Sequence, residues 1–86
     1  MKVVALYHPE SDHARAVLDY ARDFERIKGV PIELVSLETK DGAHLARLYD
    51  IVQYPAIIVT AEGGALLKHW EALPLPLMDE VAAYGH

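Results

Sequence analysis

The sequence predicts an α/β domain with the order βαβα-ββα, in which a four-stranded mixed sheet carries helices on both faces. Apolar, β-branched runs alternate with segments whose apolar residues recur every three or four positions. A long segment of the second kind separates the first two runs, which predicts parallel strands. A Gly-Gly turn joins the last two runs, which predicts an antiparallel hairpin. With 86 residues, the chain is expected to form one domain, residues 1–86.

The first half of the chain has the clearest local signals. Residues 3–7 are apolar throughout, as in a strand that is buried on both faces. Residues 12–28 predict a helix, with Ser11 or Asp12 capping its first turn and Gly29 ending it in a left-handed conformation. The predicted buried stripe of this helix is Ala14, Val17, Leu18, Ala21 and Phe24, widened by Tyr20 and Ile27.

The second half is divided by turn-forming residues. The predicted strands are residues 32–37, 56–60 and 65–70, and the predicted helices are residues 41–50 and 77–84. Asp41 is expected to cap the shorter central helix. The side chains expected to face inward from these two helices are Leu45, Leu48, Tyr49, Leu77 or Met78, Val81 and Tyr84.

Composition excludes several classes of protein. The chain has no cysteine, which removes disulfides, thiolate catalysis and thiolate metal ligands. Its net charge is −5, and its basic residues are interleaved with acidic ones, so nucleic acid and anionic membrane surfaces are not expected partners. No apolar run approaches the roughly 20 residues of a membrane span. We therefore expect a cytoplasmic protein, and His86, the last residue, carries no functional argument.

The order of the elements, and the proline and glycine residues between them, resemble those of the thioredoxin superfamily, in particular its glutaredoxin-sized members. A first strand ending in Tyr7 precedes a short loop and a long helix, Tyr54-Pro55 precedes an apolar strand, and Gly63-Gly64 marks the hairpin. The resemblance implies a cis bond at Tyr54-Pro55, whose exposed backbone groups pair with a peptide or with glutathione. Ser11-Asp12-His13-Ala14 stands where the family carries Cys-x-x-Cys. Because a serine hydroxyl cannot cycle through a disulfide, thiol–disulfide exchange is excluded.

The resemblance places two loops side by side, and together they hold the candidate ligand-binding residues: His8, Ser11, Asp12, His13, Tyr54 and Pro55. Two sharper interpretations of the first loop stay open. One is a serine activated by His13 or His8, and the other is a metal held by His8, Asp12 and His13. The plainer alternative is that Ser11 or Asp12 caps the helix while the histidines face solvent.

We therefore expect a thioredoxin-like binding or protein-interaction module without redox activity. Its partner would be an unknown protein, peptide or small metabolite, and the chain would be a monomer or a homodimer. No catalytic residue, metal or cofactor is predicted. The alternatives are a divergent glutaredoxin-like protein that binds glutathione or a similar thiol-containing metabolite without disulfide exchange, and a non-thiol enzyme that uses Ser11 and His13. A purely structural subunit is a further possibility.

Overall fold

The computed structural model describes residues 1–85, so His86 lies outside the described residues. The elements in chain order are β1 (Lys2–Tyr7), α1 (Ala14–Lys28), β2 (Ile32–Ser36), α2 (Lys40–Leu48), β3 (Ala56–Thr60), β4 (Leu66–Glu71) and α3 (Met78–Ala82), followed by a 3-10 turn (Ala83–Gly85). The predicted α/β order is confirmed, and β3 has the predicted boundaries. The other elements differ from the prediction by one to several residues at their ends.

The four strands form one mixed sheet in the order β2-β1-β3-β4. β1 pairs in parallel with β2, and β3 pairs antiparallel with both β1 and β4. β1 and β3 are therefore the central strands, and their side chains are almost entirely buried. This burial is why both strands read as continuous apolar runs, without alternation, in the sequence.

One face of the sheet is covered by α1 and α3. Its core contains Val17, Ala21 and Phe24 of α1 together with Val81 of α3, packed against alternate residues of the central strands. The remaining buried members of this core are Val3, Ala5, Ile32, Ile57 and Val59. Gly29 ends α1 with φ 72°, in the left-handed conformation expected of a glycine at this position.

The opposite face is covered by α2 alone. The smaller core there contains Val4, Leu6, Ile51, Ala56 and Ile58. α2 lies very close to β2, because Gly42 in its first turn sits against the backbone of Ser36 and Leu37, with no room for a Cβ. This close approach fixes the position of α2 against the end of β2.

The caps predicted for the N-termini of α1 and α2 are wrong. α1 begins at Ala14, two residues later than expected, and no side chain caps it. The hydroxyl of Ser11 instead donates to the carbonyl oxygen of His8 at 2.6 Å, so the loop closes on itself before the helix begins. α2 is capped by Thr39, whose hydroxyl accepts from the N–H of Gly42 at 3.0 Å, and not by Asp41. Hydroxyl and carboxylate oxygens serve equally as caps, so the position of the backbone decides between them.

Several residues expected in the core are exposed instead. Leu18 and Ile27 on α1, Leu48 on α2, and Leu77 and Tyr84 near the C-terminus have large accessible fractions, between 38% and 70%. The domain is small, and one short helix covers an entire sheet face, so the apolar stripes are wider than the surfaces available to bury them. Within residues 1–85, no helix combines the length and the apolar character needed to cross a membrane.

Candidate functional site

The loop before α1 and the loop before β3 meet at the end of the sheet. We call them the helix-1 loop (residues 8–13) and the Pro55 loop (residues 51–55). The ring of His8 lies edge-on to the ring of Tyr54, with 5.6 Å between centroids, and the ring of His13 lies 6.1 Å from that of His8. Antiparallel pairing of β1 with β3 produces this contact, because Leu6 stands opposite Ala56 and both loops continue from that point. The structure thus brings three of the predicted site residues together.

Hydrogen bonds hold the helix-1 loop in a closed turn. The N–H of His8 donates to Nε2 of His13 at 3.1 Å, and the N–H and the hydroxyl of Ser11 both donate to the carbonyl oxygen of His8. The hydroxyl of Ser11 is therefore directed at a backbone carbonyl, and the acceptor nitrogen of His13 is taken by a backbone donor. The geometry described gives no hydroxyl–imidazole pair of the kind that activates a serine nucleophile.

The surroundings of His13 favour its neutral form. Partial burial lowers the pKa of His13, and the nearby His8 imidazole lowers it further, while the carboxylate of Asp12 acts in the opposite direction. The bond that Nε2 accepts from the His8 N–H requires this nitrogen to be unprotonated. The side chain of Asp12 is exposed, and it acts on His13 through its charge.

Part of the main chain of the Pro55 loop makes no backbone hydrogen bond within residues 1–85. The Tyr54–Pro55 peptide bond is cis, and Pro55 is fully buried, with its carbonyl accepting from the N–H of Ala72 at 2.9 Å. The hydroxyl of Tyr54 donates to the carbonyl of Ile51 at 2.9 Å, which fixes the ring across the loop. Within residues 1–85, neither the backbone N–H nor the carbonyl of Tyr54 takes part in a hydrogen bond of the loops. Both main-chain groups of Tyr54 thus have no backbone partner in the part of the chain that the structure describes.

Glu71, at the end of β4, is a site residue that the sequence did not predict. Its Oε1 accepts from the N–H of Val52 at 2.7 Å and from the N–H of Gln53 at 3.0 Å. These bonds lower the pKa of the Glu71 carboxyl, with a smaller contribution from His69 on the same face of β4. An acidic residue that ends an otherwise mostly apolar strand is the only signal the sequence offers. Its partners lie 18 and 19 residues earlier in the chain.

A shallow groove of about 540 Å³ runs from the Pro55 loop to α2. His8 and Tyr54 form one end of the groove, and Val52, with 72% of its surface accessible, forms part of its wall. The other lining residues are Leu37, Ala43, Ala46, Arg47, Asp50 and Ile51. The lining therefore combines apolar residues with the positive side chain of Arg47, near the end of α2, and the negative side chain of Asp50, just after it.

The sharper metal interpretation of the helix-1 loop finds no geometric support. Within residues 1–85, no group of three or more histidine, aspartate or glutamate side chains is arranged to hold a metal ion. The first loop supplies two imidazoles, and the nitrogen of one of them, Nε2 of His13, already accepts a backbone hydrogen bond.

The mixed sheet, with α1 and α3 on one face and α2 on the other, and the paired loops define a thioredoxin-like fold. Comparison with solved structures agrees: the chain matches thioredoxin 1 from the thermophilic eubacterium Thermosipho africanus TCF52B with a TM-score of 0.70. The match covers 99% of this chain and 91% of that thioredoxin at 12% sequence identity, so the likeness concerns the fold alone. No family model and no curated protein sequence matches the chain. The predicted thioredoxin-like fold is confirmed.

Proposed function

We propose that the chain is a binding module of the thioredoxin-like class, without redox activity, which holds an extended peptide or a small metabolite between the helix-1 loop and the Pro55 loop. The proposal is carried by the free backbone N–H and carbonyl of Tyr54. The ring of Tyr54 lies beside the ring of His8, and Tyr54 is among the residues that line the groove. A donor and an acceptor on one residue match the main chain of an extended segment, which is the chemistry of strand addition.

The chemistry of the chain supports binding over redox catalysis. There is no cysteine at any position, so the fold carries no group able to form a disulfide. The Ser11 hydroxyl and the His13 imidazole are directed at the backbone of His8 and not at each other. What the two loops offer is a fixed, partly apolar surface with unpaired main-chain groups. Such a surface binds a ligand without transforming it.

The test is a binding screen read residue by residue. Amide nitrogen–proton correlation spectra of the isotope-labelled chain are recorded with a library of capped, cysteine-free peptides and with reduced glutathione. Binding at the proposed site is expected to shift the amide signals of residues 8–13 and 51–55. A ligand whose shifts fall elsewhere, for example around α3, would refute the site.

A matched pair of variants separates the site from general surface effects. Val52→Gln places a polar group in the groove wall, whereas Ile27→Gln makes the same change at an exposed position of α1. Because a substituted groove wall loses its apolar contact with the ligand, Val52→Gln is expected to weaken binding by about threefold to tenfold. Ile27→Gln is expected to leave it unchanged. Equal effects of the two variants would contradict the proposal.

A further inference from the structure

Glu71 occupies two backbone N–H groups of the Pro55 loop that would otherwise be open to a ligand. A single carboxylate oxygen accepts from two consecutive backbone N–H groups, those of Val52 and Gln53. Consecutive N–H groups directed at one point are a common way for a protein to bind an anion. In this chain the anion is built in, and it comes from the neighbouring strand.

The pairing of β3 with β4 makes this contact a fixed part of the fold. Glu71 stands opposite Ala56, the first residue of β3, and the N–H of the following Ala72 donates to the carbonyl of Pro55. The Pro55 loop is thus held to the end of β4 at three points: Val52, Gln53 and Pro55. Tyr54 lies between them, and its N–H is the one among residues 51–54 that has no partner within the described residues.

We propose that Glu71 is a positioning and specificity-determining residue of the candidate site. It holds the Pro55 loop so that, of the N–H groups of residues 52–54, only that of Tyr54 is left to pair with a ligand, and it keeps anions away from the amides of Val52 and Gln53. This inference rests on the proposed binding function and narrows it. The ligand is an extended peptide segment that is recognised through its own N–H and carbonyl groups, and not an anionic metabolite of the glutathione or phosphate type.

Charge supports the same choice of ligand. The Glu71 carboxylate, held against the Pro55 loop by two N–H groups, repels a second carboxylate at short range. A neutral peptide main chain meets no such repulsion. It also needs only the donor and the acceptor that Tyr54 provides.

The first experiment uses the unmodified chain and measures hydrogen exchange at single amides. The amides of Val52 and Gln53 are expected to be protected in the free protein, whereas the Tyr54 amide is expected to exchange freely and to become protected only when a capped peptide from the screen is bound. Inorganic phosphate and reduced glutathione are expected to leave the signals of Val52 and Gln53 in place. Free exchange at Val52 and Gln53, or shifts of their signals with phosphate or glutathione, would overturn the proposal.

The second experiment compares variants for binding of the same peptide. Glu71→Ala removes both acceptor bonds and is expected to weaken binding by about tenfold, because the loop must then be ordered at the expense of binding free energy. Glu71→Gln keeps an acceptor oxygen and is expected to recover at least about half of that loss on a logarithmic scale. Glu33→Gln, which removes a carboxylate from β2 at its contact with Lys2, is the charge control and is expected to bind normally.

The outcomes distinguish this inference from the proposed function. If peptides bind the unmodified chain and Glu71→Ala binds them equally well, Glu71 has no positioning role and the proposed function stands. If Glu71→Gln binds the peptide as weakly as Glu71→Ala, the inference is also overturned, because acceptance of the two N–H bonds is then not what supports binding. If no peptide shifts either loop, the proposed function fails, and the ligand role of Glu71 fails with it. Should Glu71→Ala not fold, the exchange measurement on the unmodified chain decides.

Discussion

Replacing Gly42 by alanine tests how tightly α2 is held against the sheet. An alanine usually stabilises the interior of a helix by about 1 kcal/mol relative to glycine. Here the added Cβ would overlap the carbonyl oxygen of Ser36, and it would lie 2.8 Å from the carbonyl carbon of Ser36 and 3.1 Å from Cα of Leu37. Because carbon atoms in contact prefer a separation near 3.5–4.0 Å, α2 would have to move by roughly 1 Å.

The expected free energy follows from these two opposing effects. Overpacking of a close-packed interior typically costs about 1–3 kcal/mol, and rigid backbone atoms place this site at the upper end of that range. After subtraction of the helix-propensity gain, the net loss of unfolding free energy for Gly42→Ala is about 2 kcal/mol. In a domain of this size that corresponds to a fall in Tm of roughly 8–16 °C.

The assay is urea and thermal unfolding, followed by circular dichroism, with Gly63→Ala as the matched control. Gly63 lies in the β3–β4 turn, has no atom near the position of an added Cβ and does not need a positive φ. Gly63→Ala is therefore expected to be neutral or to stabilise by up to about 1 kcal/mol through the unfolded chain. If Gly42→Ala unfolds at or above the midpoint of the unmodified chain, the close approach of α2 to β2 is wrong.

Three further measurements address individual side chains. Burial, with help from Glu80, raises the pKa of Tyr20 to about 12. A raised pKa means that its share of stability is complete below the unfolded value near 10 and is lost as pH rises towards 12. Ultraviolet titration should show one late tyrosinate step, absent in Tyr20→Phe, and a step at ordinary pH would contradict this. The pKa of His13 is lowered, so its contribution to stability is complete above the unfolded value of about 6.5 and is lost as pH falls below it. The imidazole resonances of His13 should therefore titrate at a lower pH than those of an unfolded peptide. Thr39→Ala should cost about 1 kcal/mol in urea unfolding, because the cap of α2 is lost, and Thr39→Ser should restore most of it; equal stability of all three chains would argue against the cap.

Local signals in the sequence predicted the fold correctly where a residue type strongly favours one backbone conformation or one kind of element. Gly29 ends α1 because the left-handed conformation favours glycine, and β3 has the predicted bounds because an apolar, β-branched run of five residues fits a central strand. The parallel and antiparallel pairings followed from connection length, since a long helix joins one pair of strands and a tight turn joins the other.

The candidate site was predicted only in part. His8, His13 and Tyr54 do meet, because strand order brings their loops together. Ser11 and Asp12 were each expected to cap α1, but the path of the backbone directs the Ser11 hydroxyl to the carbonyl of His8 and leaves the helix without a side-chain cap. Glu71 could not be found in this way, because its partners are defined by the register of β4 beside β3 and not by sequence spacing.

The sequence by itself determined the chemistry that this protein lacks. A chain without cysteine has no thiol at any position of any fold, so disulfide exchange was excluded before a structure was known. Tertiary structure alone decided which main-chain groups remain available, because a hydrogen bond between Glu71 and the Pro55 loop depends on two segments meeting across the sheet. Composition limits which atoms are present, whereas packing decides which of them are already paired and which, like the backbone N–H and carbonyl of Tyr54, have no backbone partner within residues 1–85.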